Sequence, residues 1–268
     1  MISIIIAILI GIGTFFGLQR TFEDLNIVWI SIFAVVASIV VQVVIGLIFR
    51  KKVTGVTNEI QSVIMEGQQK LQRKINMFQN KPAGGYKHMQ KLLEKDQEVF
   101  LRDALSLISK LNPFFLWVPM LSKQANTMRM QFHYQLGEMD KVDELLPKCL
   151  YMDPLTVGMK MAREYKNDDP KLEKTFKSKI KKFKGDQSAI LYGIYSWILV
   201  KKGNKDKAFE VLTEAKNKTD NETIQRNWDA LANDKVKQFS NAGFGEEWYS
   251  LKLEQPKAPK QKMQKRFK

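Results

Sequence analysis

The run IVWISIFAVVASIVVQVVIGLIF, residues 27–49, holds no charged side chain and stops abruptly at Arg50, Lys51 and Lys52. At ~1.5 Å per helical residue it reaches across the ~30 Å hydrocarbon layer of a bilayer. An earlier run, MISIIIAILIGIGTFFGL at residues 1–18, is also uncharged, and only residues 19–26 separate the two. The sequence therefore predicts a two-helix transmembrane hairpin over residues 1–52, with spans at about 2–18 and 27–49. A secretory signal would carry a basic region before the apolar run and a small-residue cleavage site after it, and neither is present. A first run lying in the interface, or removed as a signal, is the alternative.

The flanks orient the hairpin. Arg50, Lys51 and Lys52 abut the second span, whereas the connection sets Arg20 against Glu23 and Asp24. The positive-inside rule puts everything from Arg50 onward in the cytoplasm, and the hairpin returns the N-terminus there too. The expectation is a multi-pass protein of the cell (inner, cytoplasmic) membrane. Gly13 and Gly17 form a GxxxG in the first span; Ala34 and Ser38 repeat the small-residue spacing in the second, with Gln42 one turn on. Small residues let helix backbones approach and a buried amide bonds across them. Packing of the hairpin on itself is the simple reading, a homo-oligomer the sharper one, and an oligomeric two-span channel a further alternative.

The chain carries a net charge of +15, and the charges within residues 1–50 (Arg20, Glu23, Asp24, Arg50) cancel, so the excess lies wholly in residues 51–268. Such a balance attracts anionic lipid, nucleic acid or an acidic protein without choosing among them. Cys149 is the single cysteine, which excludes an intrachain disulfide and a cysteine-rich metal site; His88 and His133 are the only histidines. No GxxxxGK[ST], HExxH, GxSxG or CxxC occurs, and the adjacent acidic pairs Asp168-Asp169 and Glu246-Glu247 sit in turns. The expectation is no enzyme, no cofactor and no metal.

Beyond the cations, Val53, Val56, Ile60, Val63, Gly67, Leu71, Ile75 and Phe78 step by three and four along a helical stripe. Residues 53–85 read as a juxtamembrane amphipathic helix and linker. The helix either extends the second span as one rod, bends onto the membrane, or self-associates. Pro82, Ala83, Gly84 and Gly85 break the pattern and set the start of a soluble domain. A helix follows at about 86–111, ended by Asn112 and Pro113, and then FFLWVPML at 114–121. This apolar stretch reads as core packing or a hydrophobic loop, with a membrane-touching or partner-binding knuckle as the alternative.

Two later stretches share one theme. Residues 123–154 and 189–221 each carry an amphipathic helix ending at a glycine, Gly137 or Gly203. A Gly-x-x-Asp-Lys turn follows, then small residues at the start of the next helix (Val142, Ala208) and seven positions on (Cys149, Ala215). The first closes with Met152-Asp153-Pro154. In this the chain resembles the tetratricopeptide repeat family, whose ~34-residue period would place a further unit between the two glycines. The resemblance implies an all-α protein: the transmembrane hairpin, then a tetratricopeptide-like α-solenoid over residues 86–239 in the cytoplasm. It implies a scaffold or adaptor that binds another protein, as a subunit of a larger assembly. Members that hold acidic chaperone tails use a Lys, Asn and Arg clamp. The corresponding positions here are Thr127, Gln131, Gly193 and Ile198, so the resemblance does not extend to that ligand.

Lys174, Lys177, Lys181 and Lys184 form a basic stripe, read as a solvated face or as a docking surface for anionic lipid, RNA or an acidic partner. Nucleic acid is not favoured, because an anchored domain already lies near a negative leaflet. Residues 240–255 hold Phe244, Trp248 and Tyr249 and read as an aromatic lid, or alternatively as a segment that docks in a groove or on another protein. Residues 256–268 read as a disordered basic tail that adds to lipid binding through the two spans.

Overall fold

A computed structural model describes residues 2–22, 24–80 and 85–256 of the chain. It is helical throughout, with no strand among the described residues. The expected break at Pro82–Gly84 and the tail beyond residue 256 lie outside them. The chain divides into two compact units, Met1–Leu150 and Tyr151–Lys268.

In the first unit, α1 (Ile2–Thr21) and α2 (Ile27–Asn80) form an apolar hairpin, each long and apolar enough to cross a membrane. The hairpin closes on Ser3, Ala7 and Gly11, spaced by four on one face of α1, against Ala34, Ser38 and Gln42. A Cβ on Gly11 would collide with Ser38 Oγ and lie 3.1 Å from the Ala34 carbonyl, so any larger residue there must displace the Ser38 hydroxyl and ease the helices apart. Gly13 and Gly17 have no such role: a Cβ on either would meet nothing within 4 Å. The phase of the helix explains the difference, because Gly13 lies two positions past Gly11 and faces away from α2.

The second helix does not end at the cations. It runs unbroken from Ile27 to Asn80, and the part beyond Arg50 extends ~45 Å. Its stripe is neither a membrane-lying face nor a self-association seam, because α3 (Gly85–Ile108) occupies it. The two helices are antiparallel: Lys74 pairs with Asp96, Gly67 sits under the Phe100 ring, and Lys110 pairs with Glu59 at 2.7 Å. Ile60, Leu101, Ala104 and Ile108 are buried between them. The helix after the linker thus belongs with the juxtamembrane helix rather than opening a separate domain. A 3-10 turn (Ser109–Phe114) follows, then α4 (Leu121–Leu136) and α5 (Met139–Leu145). Gly137 joins the last two at φ 79°, a left-handed conformation open to glycine without strain.

The second unit is built on α8 (Asp186–Lys201), in which every residue from Ser188 to Leu199 is buried. Around it lie α6 (Pro154–Lys166), α7 (Leu172–Lys179), α9 (Lys205–Lys216) and α10 (Glu222–Ala232). Side-chain caps fix the starts: Asp153 accepts from Thr156 N–H, Asn204 from Lys207 N–H, and Asn221 from the amides of Thr223 and Ile224. Gly203 turns α8 into α9, again at φ 79°. Helix α10 ends at Ala232, and Asp234 at φ 51° turns the chain and leaves Val236 and Phe239 beyond it.

The segment after it ends in α11 (Glu246–Ser250) and packs back as a lid. Trp248 has no exposed surface and meets Trp197 edge to face at 5.5 Å. Both indole N–H groups donate to Glu254 at 3.0 Å, and Phe244 lies 2.5 Å from where a Gly193 Cβ would stand. Asn241, fully buried, donates to the Gly193 carbonyl and accepts from Asn227. Tyr249 is half-buried. The aromatic segment thus closes its own unit and does not project from it as a free docking segment.

Candidate functional site

The second unit carries an open groove of about 700 Å³ between α7 and its following 3-10 turn on one side and α8 and α9 on the other. Its floor is aromatic. Phe176 stacks on Tyr195 at 4.2 Å and 18°, and meets Tyr192 edge to face at 5.6 Å. Phe176 comes from the buried face of α7, and Tyr192 and Tyr195 stand one turn apart on α8, so three helical positions converge without strain. Burial raises both phenols above their ordinary pKa, so they stay neutral donors across the physiological range.

The rim is charged, and most of its charges are committed. Glu173, beside the groove, accepts from Lys177 at 2.8 Å and Lys207 at 2.9 Å, and those bonds, Lys177's first, lower its pKa to about 2. Glu214 accepts from Lys218 at 2.5 Å and from the Tyr192 hydroxyl at 2.9 Å; the Lys218 bond is the main cause of its lowered pKa. Lys181, Lys184 and Glu210 complete the rim, all exposed and without an ion-pair partner among the described residues. The groove therefore offers a neutral aromatic floor and, at its mouth, two uncommitted ammonium groups beside one uncommitted carboxylate, Glu210.

Of the expected basic stripe, Lys177, Lys181 and Lys184 reach this groove and Lys174 does not. The stripe is not one helical face. The α-helix ends at Lys179, Lys181 lies in a 3-10 turn, and Phe183 is extended at φ −116°. Like charges four apart disfavour continuing the helix, and Gly185 at φ 55° redirects the chain into α8. The floor of Tyr192 and Tyr195 escaped the sequence reading. Two tyrosines at helical spacing just after a lysine cluster are the signal that points to it. Arg50, Lys51 and Lys52 are exposed on α2 in the turn after Phe49. Among the described residues no three His, Cys, Asp or Glu side chains gather as a metal site would require.

No family model matches the chain, and neither does any curated protein or solved structure.

Proposed function

We propose that this chain is a cell-membrane adaptor: the α1–α2 hairpin crosses the bilayer with both ends cytoplasmic, and the following helical pairs dock another protein there as part of a larger assembly. The observation that carries the reading is the groove of the second unit. An aromatic floor under two uncommitted lysines suits a segment that alternates acidic side chains with an aromatic or aliphatic one. Its volume is that of a recognition pocket for a few side chains. The glycine turns at Gly137 and Gly203 support a tetratricopeptide-like solenoid, an architecture that presents such grooves.

The test is binding of acidic peptides, with and without a central aromatic residue, to the full chain held in nanodiscs. Selective binding of the aromatic peptide, lost in the Lys181→Glu, Lys184→Glu double variant, is expected. Equal binding of acidic peptide and polyuridylic acid, falling steeply with salt, would replace this reading with that of a basic peripheral module.

A further inference from the structure

Helix α3 carries the chain back along α2, and what it delivers there is uncharged. Residues 111–122, LNPFFLWVPMLS, hold no charge and are bracketed by Lys110 and Lys123. The segment arrives at the level where the apolar run of α2 ends. Trp117 stacks on Phe49 at 5.2 Å and Phe114 lies 6.0 Å from the same ring. The Leu116 carbonyl accepts from the Ile2 N–H at 2.7 Å, which satisfies the first amide of α1. The knuckle is held rigid from behind: Arg129 donates to Asn112 at 2.9 Å and lies 6.0 Å over the Phe115 ring.

Its tip stays uncovered. Leu116 is 56 % exposed and Met120 49 % exposed, and on α2 Ile48, the residue before the Phe49 that Trp117 stacks on, is exposed too. Lys51 and Lys52 stand exposed on the next turn of α2. Apolar side chains at the edge of a span, an indole beside them and ammonium groups just outside are the ingredients of an interfacial anchor.

We propose that the 114–120 knuckle inserts into the headgroup–acyl boundary of the leaflet from which α2 emerges, Leu116 and Met120 entering the acyl edge while Lys51 and Lys52 meet lipid phosphates. The proposal rests on the reading that α1 and α2 cross the bilayer. It makes the emergence point of α2 a wedge that fixes the stalk against the membrane surface.

The experiment uses the full chain in phosphatidylcholine–phosphatidylglycerol vesicles, in a Cys149→Ser background, with an environment-sensitive fluorophore on one cysteine at a time. Leu116→Cys probes the knuckle, Val36→Cys the hairpin, and Met152→Cys an exposed control. Spin labels are placed on the lipid headgroup side or at mid-chain. Shallow labels should roughly halve the Leu116→Cys signal, as expected for the interfacial depth of such anchors. Mid-chain labels should quench Val36→Cys, and neither should quench Met152→Cys. Quenching at 36 without quenching at 116 overturns the knuckle and leaves the anchor standing. A Leu116→Cys signal that is blue-shifted yet unquenched places protein over the tip and also overturns it. Absence of quenching at both positions overturns the anchor itself, and the knuckle with it.

Discussion

Trp248 shows how much a single side chain can hold. It is fully buried, lies against Trp197, and shares the Glu254 carboxylate with it. Trp248→Ala should cost about 3–5 kcal/mol, the range for aromatic truncation in a core. Denaturant unfolding of the full chain in detergent checks this, through a transition reporting the second unit. Glu164 offers the opposite sign. It is buried, accepts from Thr175 Oγ1 at 2.8 Å, and its other oxygen has no partner among the described residues; burial raises its pKa despite Lys160 nearby at 3.7 Å. A raised carboxylate contributes its stability below the unfolded-state pKa and loses it as pH rises through the folded value. Glu164→Gln should therefore gain relative stability as pH rises from 4 to 8, read from thermal midpoints across that range. Cys149 lies beyond the second repeat helix rather than in it, extended after Lys148; it is buried, and its thiol donates to the Leu145 carbonyl.

At the scale of elements, Glu173 ties α7 to α9 through Lys177 and Lys207, and the tie forms one wall of the groove. Its pKa falls from the ordinary 4.5 to about 2. A lowered carboxylate contributes stability above the unfolded-state value and loses it as pH falls toward the folded one. Thermal stability should therefore decline between pH 4.5 and 2, and Glu173→Gln should flatten that decline. In α2, Gly67→Leu would drive a side chain into Phe100 and should destabilise the α2–α3 pair by about 1–3 kcal/mol, measurable as faster proteolysis of α3. Helices of this kind are legible from sequence because their signals are local: the three-and-four spacing on α2, the caps at Asp153, Asn204 and Asn221, and the turn glycines Gly137 and Gly203. What covers a stripe is not local. Nothing near Ile60 says that Leu101 and Ile108 will lie on it, and nothing at Gly13 says that Gly11 is the residue in phase with α2. The groove fell between the two cases, its lysines visible as composition and its tyrosines hidden in a helix that reads as amphipathic but is buried on all sides from Ser188 to Leu199.

For the whole molecule, the proposed orientation rests on the cations at Arg50, Lys51 and Lys52. In a Cys149→Ser background, a cysteine at Asn26 should react with a membrane-impermeant maleimide from outside intact cells. A cysteine at Lys205 should react only after permeabilisation; the reverse pattern would invert the topology. One bond bears on how such a molecule is made. The Ile2 amide is synthesised at the start of α1, whereas the Leu116 carbonyl it donates to comes more than a hundred residues later. At ~5–20 residues per second the interval is roughly 6–23 s. The α1–α2 hairpin is therefore complete with the head of α1 unfastened, and the fastening arrives only after α2 and α3 have been synthesised. Closure of the first unit is a two-step affair, in which the hairpin comes first and the latch follows from the chain's return journey.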